Sequence, residues 1–156
     1  MACKNSFIAV SFSHLHQTEG KRGITGDDTS LNGIRLHCSS GGVRTTLLTF
    51  VVESKSFQFG WGEWTEVKKC PKGYLVAFTL KVEAPQWLGD NTAANNIQFK
   101  CGDGTVLEGE STDFGTYGDW SKHCTAGAIC GIQTKVKDVA RGDNTALNDV
   151  KFFCCD

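Results

Sequence analysis

The polar residues that recur at fixed spacing lie in three segments that align without gaps: residues 26–38 (GDDTSLNGIRLHC), 89–101 (GDNTAANNIQFKC) and 142–154 (GDNTALNDVKFFC). The shared pattern is G-D-[DN]-T-[AS]-[LA]-N-x-[IV]-x-[LF]-x-C. It sets Asp27, Asp28 and Asn32 at the same places as Asp90, Asn91 and Asn95, and as Asp143, Asn144 and Asn148. Carboxylates and carboxamides match the donor and acceptor pattern of sugar hydroxyls, so three copies would make a polyvalent glycan-binding surface. The same side chains also bond nearby backbone N–H groups and build turns, and a structural turn that orients the next strand is the reading the residue chemistry favours. Trp87, in the loop Pro85-Gln86-Trp87-Leu88-Gly89, is the best candidate for an exposed contact with a partner. Trp61, Trp64, Tyr117 and Trp120 have strand periodicity and are expected to fill a core or a seam between sheets rather than stack on sugars.

Bond-making chemistry has little to stand on. Glycosidases place two carboxylates on either side of the scissile bond. Glu63 with Asp119, or Glu108 with Glu110, are pairs of the kind found in any acidic chain. His14, His16, His37 and His123 belong to no recognisable nucleophile motif and read as scattered surface histidines. The glycines punctuate turns and form no phosphate loop. No metal-binding spacing occurs: there is no CxxC pair, and the adjacent Cys154 and Cys155 are poorly placed to chelate one tetrahedral ion. The sequence implies no cofactor and no metal.

Eight cysteines in 156 residues are better used as four disulfides, which form in an oxidising compartment. Residues 1–6 (MACKNS) carry no apolar run of signal-peptide length, and no stretch has the apolar length of a membrane span. Sixteen Lys and Arg against seventeen Asp and Glu leave no strong overall field toward nucleic acid or an anionic membrane. Eighteen glycines, one methionine and two prolines fit short strands joined by tight turns, hence an all-β chain of one domain.

These elements repeat with the polar segments. Residues 59–64 (FGWGEW) and 114–120 (FGTYGDW) each precede a lone cysteine, Cys70 or Cys124, and then an alternating run, YLVAFTLKV from Tyr74 or ICGIQTKV from Ile129. The first unit keeps only Cys3 and FIAVSFSHLH from Phe7. Each complete unit therefore reads as an aromatic strand (57–64), a cysteine turn, a long strand (74–82), the Asp/Asn-Thr turn, a third strand (96–101) and a short edge near Val106, forming one four-stranded sheet per repeat. Ile34, Leu36 and Cys38 share a face, as do Ile97, Phe99 and Cys101, and Val150, Phe152 and Cys154. Arg35, His37, Gln98, Lys100 and Lys151 point the other way. Repeat symmetry pairs Cys3 with Cys38, Cys70 with Cys101 and Cys124 with Cys154, leaving Cys130 for Cys155. Eight cysteines allow about a hundred connectivities, and Cys124 can exchange its partner for Cys155.

The three G-D-[DN]-T segments, the Trp61-Gly62-Glu63-Trp64 element and the terminal KFFCC from Lys151 resemble the vitelline membrane outer layer protein I family from Cys3 onward. The resemblance implies an all-β β-prism: three four-stranded antiparallel Greek-key sheets with pseudo-threefold symmetry, as a single domain over 1–156 with repeats of about 1–50, 51–108 and 109–156. Family members carry a signal peptide and a first Gly/Trp strand ahead of the position of Cys3. Neither is seen in residues 1–6, so the first sheet is expected to lack its leading strand. His14 and His16, standing where the second unit has Leu80 and Val82, are expected to weaken that sheet's inner face. The implied function is that of a secreted, non-enzymatic, monomeric structural protein of the outer layer of the egg vitelline membrane. Its partners would be egg-coat or mucous glycoproteins and glycans, with no nucleic acid and no membrane insertion. A lectin-like carbohydrate-binding module, by likeness to lectins of the same fold, is the alternative reading; a glycan-processing enzyme acting on N-acetylglucosamine polymers ranks third.

Overall fold

Alternating apolar residues broken by Gly-rich turns produce strands throughout the computed structural model, which describes residues 2–3, 7–16, 31–39, 50–55, 63–82, 94–110, 115–136 and 147–156. Among these residues the chain is all-β and every strand pairing is antiparallel. In the first sheet β1 (Ile8–His16) lies beside β2 (Leu31–Ser39), which lies beside β3 (Phe50–Lys55). The other edge of β1 carries β4 (Glu63–Trp64) and β5 (Lys68–Lys69), two halves of one interrupted strand. The second sheet is built from β6 (Leu75–Val82), β7 (Ala94–Cys101), β8 (Val106–Glu108) and β9 (Thr116–Tyr117), in the order β8-β7-β6-β9. The third pairs β10 (Ala128–Val136) with β11 (Leu147–Cys155). Ala2 bridges Gly131, and the Cys3 N–H donates to Cys130 O at 2.6 Å.

The Gly/Trp segments do not join the sheets of their own repeats. Residues 63–70 close the first sheet: Thr65 N–H reaches His14 O at 2.9 Å and Cys70 N–H reaches Val10 O at 3.0 Å. Residues 116–124 close the second in the same way, through Gly118 to Leu80, Ser121 to Phe78 and Cys124 to Val76. Each repeat thus completes the sheet of the repeat before it. Two expectations are corrected. The arrangement of one self-contained sheet per repeat does not hold, because periodicity assigns a face to a strand but not a partner. The first sheet is also not short of a strand, since its fourth position is filled from the second repeat; among the described residues the sheet with fewest strands is the third. β3 pairs with β2 over Gly33 to Cys38.

Strand exchange changes what the disulfides do. The bonds are Cys3–Cys38, Cys70–Cys101, Cys124–Cys154 and Cys130–Cys155. Cys70 ends the strand that closes the first sheet, while Cys101 ends β7 of the second. Cys124 ends the segment that closes the second sheet, while Cys154 lies on β11 of the third. Cys3 runs beside β10 of the third sheet, while Cys38 lies on β2 of the first. Three bonds that stay within their repeats therefore rivet the three sheets to one another in a ring. The fourth holds β10 to β11.

The inner faces meet in one core that includes Phe12, Leu36, Ile34, Leu75, Ile97, Phe99, Ile129, Ile132 and Val150, with Phe78 and Phe152 packed against it. Rings from all three sheets touch: Phe12 and Phe99 have centroids 4.6 Å apart, Phe99 and Phe152 5.2 Å, and Phe78 and Phe152 4.6 Å, all tilted or edge-on. Cys154, on the two-stranded sheet, shares the inner-face phase of Val150 and Phe152 yet remains exposed.

Replacing fully buried Phe99 by Ala should therefore cost about 3–5 kcal/mol, read as a lower denaturant midpoint with the disulfides intact. Phe153→Ala, on a residue 47% exposed, should change stability by less than about 0.5 kcal/mol. Removing the Cys70–Cys101 bond as a double serine variant opens a loop with a sequence separation of 31. It should lower unfolding free energy by about 3–4 kcal/mol, with no change in the other three bonds on peptide mapping.

Candidate functional site

The repeated polar segments form the links β1–β2, β6–β7 and β10–β11, and their asparagines have a common backbone role. In each hairpin the register skips one residue: Leu15 and His16 oppose Gly33 and Leu31, Lys81 and Val82 oppose Asn96 and Ala94, and Lys135 and Val136 oppose Asp149 and Leu147. The skipped residues are Asn32, Asn95 and Asn148. All three are the extra residue of a β-bulge, a device that kinks a strand and re-aims the chain beyond it. A trace of this is present in the sequence. The buried Leu31 and Ile34, and Ala94 and Ile97, are three apart where an unbroken strand would keep its inner residues two apart.

The side chain of Asn95 is turned toward protein: it is 4% exposed, and its Nδ2 lies 3.2 Å from where a Cβ on Gly115 would stand. Asn96, beside it, donates through Nδ2 to Gly109 O at 2.8 Å and accepts from the Ile97 N–H at 2.8 Å. Asp27, Asp28, Asp90, Asn91, Asp143, Asn144 and Trp87 lie outside the described residues, as do the side chains of Asn32 and Asn148.

Trp64, Tyr117 and Trp120 are half-buried and lie outside the core, which was one of the two places expected for them. Each meets a cation from the outer face of its sheet. The Arg35 guanidinium lies 3.8 Å over the Trp64 ring, Lys100 Nζ 4.4 Å over Trp120, and Lys81 Nζ 5.7 Å from Tyr117. The cause is the small size of the residues between them. Ser13 and Ala77 occupy the outward positions of β1 and β6 opposite Arg35 and Lys100, so the longer side chains can converge above. The Tyr117 hydroxyl donates to Glu108 Oε1 at 2.8 Å. Burial first, then this bond and the carboxylate's charge, push the phenol pKa well up.

Two hydroxyl residues that the sequence reading did not single out hold the exchanged segments. Thr65 Oγ1 accepts the His14 N–H at 3.1 Å, and Ser121 Oγ accepts the Phe78 N–H at 3.0 Å. Both directly follow the last aromatic of a Gly/Trp element, a W-[ST] signal.

The carboxylates of the sequence pairs have these places. Glu63 is on the first sheet and Asp119 beside the second. Glu108 serves Tyr117, and Glu110 pairs with Lys68 at 3.5 Å. The histidines are not uniformly superficial. His123 is exposed, but His37 is half-buried with its pKa lowered by burial and then by Arg35, and His14 is wholly buried. His37 Nε2 lies 3.5 Å from Ser13 Oγ, a long contact to a hydroxyl residue only 2% exposed. Among the described residues no three His, Cys, Asp or Glu side chains are grouped to hold a metal ion, and no helix is long and apolar enough to cross a membrane.

Comparison with known proteins agrees with these repeats. The family model for vitelline membrane outer layer protein I matches residues 1–156. The human vitelline membrane outer layer protein 1 homolog is 54% identical over 155 residues, covering 98% of this chain and 73% of the human protein. The mouse vitelline membrane outer layer protein 1 homolog is 48% identical over 156 residues, covering 98% and 74%. With three disulfide-riveted sheets and a match over its whole length, the chain belongs to the vitelline membrane outer layer protein I family.

Proposed function

We propose that this protein is a non-enzymatic structural component of an extracellular coat of the vitelline-outer-layer type, and that its three sheets are those of a β-prism of Greek-key units about a pseudo-threefold axis. The observation that carries this reading is the ring of exchanged strands and inter-sheet disulfides. No sheet is complete without its neighbour, so a local opening must break both backbone pairing and a covalent link, which suits a unit that persists outside the cell. The carboxylates with the best claim to chemistry support it too, because Glu108 and Glu110 are engaged in holding neighbouring strands. Its partners would be coat or mucous glycoproteins.

A second reading, a glycan-binding module, is favoured by the three equivalent bulges. They give each Asp/Asn-Thr link the same starting geometry, which is what a polyvalent surface requires.

Washed egg-coat or mucous fractions should retain the protein through high-salt extraction and release it on reduction. Recovery only in the free soluble fraction would sink the structural reading. On a glycan array the disulfide-intact protein should bind above background if the second reading holds, and replacement of Asp27, Asp90 and Asp143 together by Ala should then remove that binding. A blank array leaves the structural reading alone.

A further inference from the structure

His14 is a buried titratable group with no part in the turns, the disulfides or the coat reading. It stands on the inner face of β1 opposite Ile34, where the second sheet has Leu80 opposite Ile97, and it is 0% exposed. An aliphatic side chain would fill this place without a titration, so the imidazole has another use. Its Nε2 accepts the Glu110 N–H at 2.7 Å. A ring nitrogen that accepts is unprotonated, so His14 is the neutral imidazole that carries its proton on Nδ1.

That bond joins two sheets. Glu110 follows β8, the edge strand of the second sheet, whereas His14 belongs to the first. The receiving segment is held closely: Gly109 N–H donates to Ile97 O at 2.9 Å, and a Cβ on Gly109 would fall 2.5 Å from Asn96 Oδ1 and 2.7 Å from the His14 ring. On its own side the His14 backbone is bonded in both directions to Thr65. Among the described residues, the charged groups at this seam include Lys68, on β5, and Glu110 itself, paired at 3.5 Å and 36% and 54% exposed.

We propose that His14 is an acid-sensitive latch between the first and second sheets, closed while the imidazole is neutral and released when it is protonated. Protonation turns the acceptor into a donor that faces the Glu110 N–H, and it places a charge where no water reaches. In the opened chain a histidine titrates near pH 6.5. The latch therefore contributes fully above that value and is lost as pH falls below it. Each pH unit lower favours the open seam by up to about tenfold. Opening frees the segment at 109–110 and with it the edge of β8, so an assembly packed on this seam loosens in acid.

Hydrogen exchange of the full, disulfide-intact chain between pH 7.5 and 5, corrected for intrinsic exchange, tests this. Protection of the Glu110 amide should fall by at least about tenfold relative to the Phe99 amide. His14→Leu should abolish that pH step, whereas His37→Gln, at the half-buried His37, should leave it in place. Glu110→Gln keeps the backbone donor and should also retain the step. Should the leucine variant not fold, nitrogen-15 spectra of the wild-type imidazole decide: the Nδ1–H tautomer at neutral pH, converting to imidazolium in step with Glu110 exchange, is the expected result. A step that survives in His14→Leu, an Nε2–H tautomer at neutral pH, or Glu110 exchange that follows Phe99 at every pH overturns the latch.

Discussion

Phe12, Phe99 and Phe152 come from three different sheets and meet ring against ring, and this contact sets the terms for the rest of the molecule. A sheet with one apolar face must bury it against something. Here each sheet turns its apolar face toward the other two. Tilted and edge-on aromatic pairs add about 0.5–1.5 kcal/mol each beyond the area they bury, and they tolerate the oblique angles at which three sheets meet better than flat stacking would. Small residues follow on the outward side, where Ser13 and Ala77 let long cations and aromatics from flanking strands close over them.

Three sheets that share one core still need their edges managed, because an open edge is a place for wrong pairing. Strand exchange answers this with the chain itself. A Gly/Trp segment leaves its own repeat, pairs with the strand before it, and returns at a cysteine. The cysteine then bonds forward to its own repeat, so a disulfide between nearby residues in sequence becomes a bond between sheets. Cys70 and Cys101 show the logic most simply: one is hydrogen-bonded to Val10 of the first sheet, the other closes β7 of the second. The short-range covalent link thereby enforces long-range topology, and at little cost in loop closure.

Much of this was legible in the residues, and the limits are physical. The three hairpins, the inward faces and the pairs Cys3–Cys38 and Cys70–Cys101 follow from alternation and from the alignment of repeats, whereas the repeats left the partner of Cys124 open between Cys154 and Cys155. Which sheet a Gly/Trp strand joins is not local. Trp64 alternates in the same way whether it pairs with its own repeat or with Leu15 of the preceding one. The same ignorance made the first sheet look incomplete. The placement of the tryptophans failed for a related reason, since an aromatic flanked by a cation two strands away resembles a core residue until the cation is seen. The inner-face place of His14 was legible from its alignment with Leu80, but its bond to the Glu110 backbone leaves no mark in sequence. Of the polar site, the asparagines were recognised as special, but their bulge was visible only in the three-residue gap between inward positions.

The backbone devices are the same in all three units while the side chains on them are not. Bulges at Asn32, Asn95 and Asn148 coincide, and so do those at Val10, Val76 and Cys130. Yet equivalent inward positions hold His14 and Leu80, and equivalent outward ones hold His37, Lys100 and Phe153. Three sheets sharing one core need the first set to be alike, because one bulge out of phase would turn a whole strand's apolar face outward. They place no such demand on the second set. Departures from the repeat are therefore where this chain has freedom to differ between its faces. A buried imidazole at a seam, a lysine over a tryptophan and an exposed phenylalanine thus distinguish three sheets whose backbones share the same bulges.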